Sequence, residues 1–205
     1  MKVLLVNGSG HEKGCTYTAL SEVAKALNAN GVETEIFWIG QNSVTGCKGC
    51  WACKKVGKCV VDDCVNEFVE KAAEFDGYVF GSPVYYASAA GALVSFMDRV
   101  FYSGGKNLAY KPAAAVVSCR RAGASTTFDV INKYFTINNM PIVGSNYWNE
   151  IHGNTAEEAA QDEEGLQTMR VLGNNMAWLL KCLALGKEAG VEPVRERKIM
   201  TNFIR

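Results

Sequence analysis

The sequence predicts an α/β fold of the doubly wound kind: a five-stranded parallel sheet with helices on both faces, in one domain over residues 1–205. Two observations lead there. Short apolar runs of strand length alternate with longer segments of helical periodicity, the order expected of a parallel sheet covered on both sides. Polar, glycine-rich stretches follow three of the apolar runs, where such a sheet places its ligand-binding loops.

The elements follow in order. "KVLLVNGS" (2–9) is a continuous apolar run ending in glycine, as suits a strand buried on both faces. Leu20, Val23, Ala24 and Leu27 repeat at helical spacing, and Gly31 supplies the stop. "VETEIFWI" (32–39) reads as the second strand. Val65, Phe68, Val69 and Ala72 mark the next helix, with Asp62 or Asp63 placed to cap it. "YVFGSP" (78–83) is the third strand and "GALVSFMDRVFY" (91–102) the third helix. "AAAVVS" (113–118) and "PIVGS" (141–145) read as strands four and five, with "TTFDVINKYF" (126–135) helical between them. Thr155 and Glu158 form a capping box that opens a polar helical turn. Leu166, Met169, Gly173, Met176, Leu180 and Leu183 then trace one face of a long final helix. Residues 46–64 form a cysteine-rich insertion, and residues 191–205 a charged tail ending on Phe203 and Ile204.

At 205 residues the chain can bury a full core without staples. Twenty-one basic residues balance 21 acidic ones, so no net charge draws the chain to nucleic acid or to an anionic membrane. The four-residue apolar run in "MKVLLVNGSG" is too short for a signal-peptide core, and no stretch approaches the roughly 20 apolar residues of a membrane span. A cytoplasmic protein is expected, with neither nucleic acid nor membrane as a partner. In a reducing compartment, clustered cysteines are more often metal-binding or redox-active than disulfide-bonded.

Three loops carry chemistry. "NGSGHEKGCT" (7–16) can wrap a phosphate with backbone N–H groups and hydroxyls at a helix N-terminus, or be a plain tight turn. It is neither the G-x-G-x-x-G fingerprint nor a P-loop, for its glycines are spaced otherwise and no G-K-[ST] closes it. "GSPVYYASAAG" (81–91) presents aromatic faces for a planar ligand, or merely covers the rim of the core. "SCRRAGAST" (118–126) offers two arginines as fixed cations, although adjacent arginines are usually a solvated pair. No Ser/His/Asp triad is evident, and His152 in "NEIHGNT" reads as a polar loop residue.

Together these residues resemble the flavodoxin-like NADPH-dependent FMN reductase family over nearly the whole chain. "GSGHEKGCT" stands where that family typically has G-S-P-R-x-x-G-N-T, with His11 at the Arg position and Cys15 at the Asn position; "GSPVY" matches the flavin-binding loop, and "SCRRAG" its third loop. The resemblance implies a sheet in the order 2-1-3-4-5 and non-covalent FMN. It implies phosphate contacts from Ser9, His11, Gly14, Cys15 and Thr16, and flavin contacts from Pro83, Val84, Tyr85 and Tyr86. Ser118, Arg120, Arg121 and Gly123 would then lie against the isoalloxazine, with Arg120 a candidate for stabilising the reduced ring. It further implies that NAD(P)H reduces the flavin and that a quinone, nitro or azo compound or other small acceptor reoxidises it. A homodimer or homotetramer is expected.

"GCKGCWACKKVGKC" (46–59) places Cys47, Cys50, Cys53 and Cys59 in a C-x2-C-x2-C-x5-C arrangement. Structural zinc sites usually split their ligands into two separated pairs, whereas this compact run is nearer to iron–sulfur ligation. The same arrangement resembles that of the iron–sulfur flavoproteins, a branch of the family whose cluster-free relatives keep several cysteines here. A [4Fe–4S] cluster, zinc and a metal-free loop all stay open. So do three functions: an FMN-dependent NAD(P)H oxidoreductase, an electron carrier using FMN and a [4Fe–4S] cluster, and a zinc-stabilised binding module. Cys182, in "AWLLKCLAL", reads as a small core residue.

Overall fold

A computed structural model describes residues 1–201 and 203; Ile204 of the predicted tail lies outside them. In chain order the elements are β1 (Lys2–Asn7), α1 (Cys15–Ala29), β2 (Glu33–Trp38), α2 (Cys53–Val56), α3 (Cys64–Ala72), β3 (Gly77–Tyr85) and β4 (Ser88–Ala89). Then come α4 (Gly91–Leu108), β5 (Ala113–Cys119), α5 (Ala124–Ile137), β6 (Glu150–His152), α6 (Ala156–Ala159) and α7 (Glu163–Glu188).

The main sheet runs β2-β1-β3-β5-β6, parallel throughout. With the two-residue β4 set aside, that is the expected 2-1-3-4-5 order of a flavodoxin-like sheet. The small β4 folds back antiparallel on the end of β3. Central strands β1 and β5 are apolar on both faces because helices cover both. One core layer packs Phe37, Phe68, Phe80, Phe96 and Phe135 between the sheet and helices α3, α4 and α5. Phe68 and Phe96 meet edge-on with centroids 5.1 Å apart, a favoured aromatic geometry. The other layer packs Leu5, Leu20, Leu27, Met169, Leu172 and Met176 between the sheet and helices α1 and α7.

Capping follows the sequence. The Asp63 side chain accepts from Val65 N and starts α3. Thr155 Oγ1 accepts from Glu158 N and starts α6, while Asp162 caps α7 through Gly165 N.

The fifth strand is not where the apolar pattern puts it. Residues 141–145 make a single parallel bridge, Ala113 with Ile142, and the edge strand is Glu150–His152. Ala113 N donates to Pro141 O and Val143 N donates to Ala113 O, both at 2.9 Å, after which the chain leaves the sheet. Buried Asn149 brings it back: its Nδ2 donates to Ala115 O at 3.0 Å, and its carbonyl accepts from Val117 N at 2.8 Å. His152 therefore ends a strand and does not sit in a loop. Cys182 is exposed on α7 and is no core residue. No helix among the described residues is long and apolar enough to cross a membrane.

Candidate functional site

The carboxyl ends of β1, β3, β5 and β6 open on one cavity of about 770 Å³, within the range typical of small-molecule sites. Its lining includes Ser9, His11, Gly14, Cys15 and Thr16 from the first loop, Pro83, Val84 and Tyr85 from the second, and Ser118 and Arg120 from the third. Loops whose lining residues run from Ser9 to Arg120 are thus brought together by the parallel pairing of β1, β3 and β5.

The first loop is held from within. Ser9 N donates to Asn7 Oδ1 at 3.1 Å, and Ser9 Oγ accepts from His11 N at 3.1 Å. Trp38 Nε1 reaches across from β2 to Ser9 O at 2.8 Å. Helix α1 then begins at Gly14 with no side-chain cap and no acidic residue in its first turn. Its first N–H groups and the positive end of the helix dipole are left for an anion. At the cavity floor Thr16 Oγ1 and Ser118 Oγ share a buried hydrogen bond of 2.8 Å. Two hydroxyls carry two hydrogens and that bond uses one, so the other is free for a ligand. Two thiols line the same cavity. Burial pushes both Cys15 and Cys119 above the usual thiol range, so they stay neutral and do not repel an anion. Lys13 and Arg120 on the lining are offset by Glu12 and Glu157.

Tyr86, Arg121 and Gly123 are not on the cavity lining. Tyr86 and Arg121 are exposed. Gly123 acts on the wall from behind: its φ is +88°, and a Cβ there would stand 2.7 Å from Val84 Cγ1. Only glycine lets the third loop press so close on the second. The sequence reading also missed Gln41 and the fourth loop with the start of α6, residues 153–157, which completes the cavity. Gly153 is tied in by its N–H to Cys119 O at 3.1 Å and by Cys15 Sγ donating to its carbonyl at 3.5 Å. Placing the fifth strand at 141–145 hid that loop; "HGNT" after an accepted strand at 150–152 is the signal that could have found it.

Cys47, Cys50, Cys53 and Cys59 line a second cavity, of about 40 Å³, against the flank of α4. Its other walls include Lys48, Trp51, Arg99 and Tyr102. Cys47 and Cys50 are exposed, Cys53 and Cys59 half-buried. The Cys59 backbone is clamped by Asn66, whose Oδ1 accepts from Cys59 N and whose Nδ2 donates to Cys59 O, each at 3.0 Å. Arg99, 2% exposed, donates Nε to Cys59 Sγ at 3.3 Å and forms a two-pronged pair with Asp63 at 2.6 and 2.8 Å. No three His, Cys, Asp or Glu among the described residues stand close enough to hold one metal ion. The two cavities share no lining residue.

A doubly wound sheet with an open helix N-terminus and an apolar wall at its carboxyl edge defines a flavodoxin-like protein. The chain belongs to the NADPH-dependent FMN reductase family, whose model matches residues 1–155, near its iron–sulfur flavoprotein branch, and is an FMN-binding oxidoreductase. It is 35% identical over 191 residues to an iron–sulfur flavoprotein of Methanocaldococcus jannaschii, covering 89% of this chain and 99% of the relative. It is 27% identical over 192 residues to the iron–sulfur flavoprotein of Methanosarcina thermophila, covering 92% and 100%. Among solved structures it is similar to RosB bound to 8-demethyl-8-formylriboflavin-5'-phosphate, with a TM-score of 0.70 at 15% identity over 99% of this chain and 92% of RosB. A flavodoxin from the domain Archaea aligns with a TM-score of 0.59 at 16% identity, covering 88% of this chain and 99% of that one. At those identities the structural likeness speaks for the fold.

Proposed function

We propose that this chain works as an iron–sulfur flavoprotein, binding FMN in the carboxyl-edge cavity and a [4Fe–4S] cluster on Cys47, Cys50, Cys53 and Cys59, and moving electrons between them. The observation that carries this reading is that all four cysteines of the motif face one cavity. One water needs roughly 10–15 Å³ of such space, and this cavity is about 40 Å³. Zinc would draw four sulfurs to about 2.3 Å from one point. These thiols are spread around a larger space, which suits a polynuclear group. The names of the relatives from Methanocaldococcus jannaschii and Methanosarcina thermophila support the same reading.

When bound, FMN supplies a centre that exchanges one or two electrons, and the cluster one that exchanges a single electron. The remaining work falls to the chain. The free N–H groups of α1 and the spare hydroxyl hydrogen of the Thr16–Ser118 pair would hold the phosphate. Pro83, Val84 and Tyr85 would give the ring an apolar wall, and Arg120 with the third-loop N–H groups would stabilise negative charge on the reduced ring. On the other cavity, Lys48 lies in the lining and Lys54 stands 4.4 Å from the Trp51 ring centroid. Both offset the negative charge of four thiolates.

A second reading concerns the outside partners. Membership of an NADPH-dependent FMN reductase family and a carboxyl-edge cavity of about 770 Å³ support NAD(P)H as electron source and a quinone, nitro or azo compound as acceptor. One preparation tests the central reading: protein purified without oxygen, assayed for flavin, iron and sulfide. Bound FMN with iron and acid-labile sulfide supports it; FMN with zinc in place of iron overturns the cluster.

A further inference from the structure

We propose that Arg99 tunes the cluster: its Nε–H, aimed at Cys59 Sγ, raises the electron affinity of whatever iron–sulfur group those cysteines hold. This inference rests on the cluster reading above and goes beyond it, because none of the four ligands predicts a fifth residue that sets their electronics.

A buried guanidinium is costly unless every N–H finds an acceptor. Arg99 meets that demand almost entirely with oxygen. Nη1 donates to Asp63 Oδ2 at 2.6 Å and to Thr45 O at 3.3 Å; Nη2 donates to Asp63 Oδ1 at 2.8 Å and to Val61 O at 2.9 Å. The remaining donor, Nε, points at Cys59 Sγ at 3.3 Å. Holding the loop needs only the four bonds to oxygen. The fifth bond is the one with a chemical consequence.

Both ends of that bond are fixed. The fork with Asp63 sets the plane of the guanidinium, and Asp63 is itself anchored as the α3 cap. Asn66 grips the Cys59 backbone from both sides. The donor and the backbone that carries the sulfur are thus both anchored. Among the described residues no other motif cysteine receives a charged N–H: Cys53 Sγ donates to Tyr102 O at 3.6 Å. The tuning is therefore confined to one corner of the site.

An N–H donated to a ligating sulfur draws electron density from it and favours the state with one more electron, and such hydrogen bonds are among the factors that set iron–sulfur potentials. Arg99→Lys keeps a cation for Asp63 but removes the Nε donor. It should retain iron and sulfide while its reduction equilibrium constant falls at least tenfold, about 59 mV for a one-electron couple.

The test begins with wild-type protein carrying isotopically labelled arginine, reconstituted anaerobically and reduced with dithionite. Electron–nuclear double resonance should show an arginine nitrogen coupled to the reduced cluster, which requires no variant to fold. Redox titration of wild type and Arg99→Lys then reads the shift. Nitrogen coupling with a lowered potential in the variant supports the inference. A cluster with no arginine coupling and an unmoved potential overturns it and leaves the cluster reading standing. A wild-type chain that assembles no cluster overturns both.

Discussion

Thr16 Oγ1 and Ser118 Oγ lie 2.8 Å apart in the floor of the carboxyl-edge cavity, although 102 residues separate them in sequence. The bond ties the first turn of α1 to the end of β5. It orients both hydroxyls before any ligand arrives.

Ser118→Ala should therefore weaken FMN binding by about 1–2 kcal/mol, or roughly 5- to 30-fold, with little change in fold. Thr16→Val should do the same. A glutamate at Thr16 would be a poorer probe, because Thr16 is buried and its Cγ2 lies against Gly81. Quenching of FMN fluorescence on titration reads the affinity. Unchanged binding in both variants would remove the pair from the phosphate site.

Gly123→Ala should destabilise the chain by roughly 1–3 kcal/mol through its left-handed backbone alone, with the clash at Val84 added. Val84 lines the carboxyl-edge cavity and belongs to the proposed flavin wall, so FMN affinity should fall as well. Denaturant melts with and without FMN check both effects. A stability loss with intact affinity would mean the third loop does not shape the flavin wall.

A pH effect follows from Glu22 on α1. Partial burial raises its pKa, but hydrogen bonds from Arg170 and Lys25 outweigh burial and hold it below the usual carboxylate range. The Arg170 contact, at 2.9 Å, ties α7 to α1. A lowered folded pKa means the contribution is present above the unfolded value of about 4.3 and is lost as pH falls through the folded one. With Arg170 half exposed, about 0.5–1 kcal/mol is expected after screening. Glu22→Gln should lose that much at pH 7 and little at pH 3 in urea melts. An equal loss at both pH values would point to packing instead of charge.

Most of the fold was legible because β1, β3 and β5 are apolar runs that no helix pattern imitates. The edge strand was not. "PIVGS" looks like a strand and buries Val143, whereas "EIH" buries only Ile151 between two polar residues. An edge strand covered on one face carries too little apolar signal to compete with a nearby apolar run. The first three loops were legible from glycine and turn chemistry, and the fourth was lost with its strand. Arg99 was invisible for another reason. On "GALVSFMDRVFY" an arginine reads as the polar face of a helix, and its burial depends on Asp63, 36 residues away.

Turnover is the next expectation. NADH or NADPH, mixed anaerobically with the FMN-loaded protein, should bleach the flavin absorbance, and a quinone or nitroaromatic acceptor should restore it. Stopped-flow spectroscopy with each nicotinamide reads the preference. Should neither bleach the flavin, electrons must enter from another donor and the chain acts as a carrier.

The central claim is that Cys47, Cys50, Cys53 and Cys59 together hold a cluster, and anaerobic reconstitution with iron and sulfide tests it most directly. The four cysteines around one cavity predict about four irons per chain, lost on Cys50→Ala while FMN binding persists. Wild-type protein that takes up no iron, or a Cys50→Ala variant that keeps its full iron content, would contradict the claim.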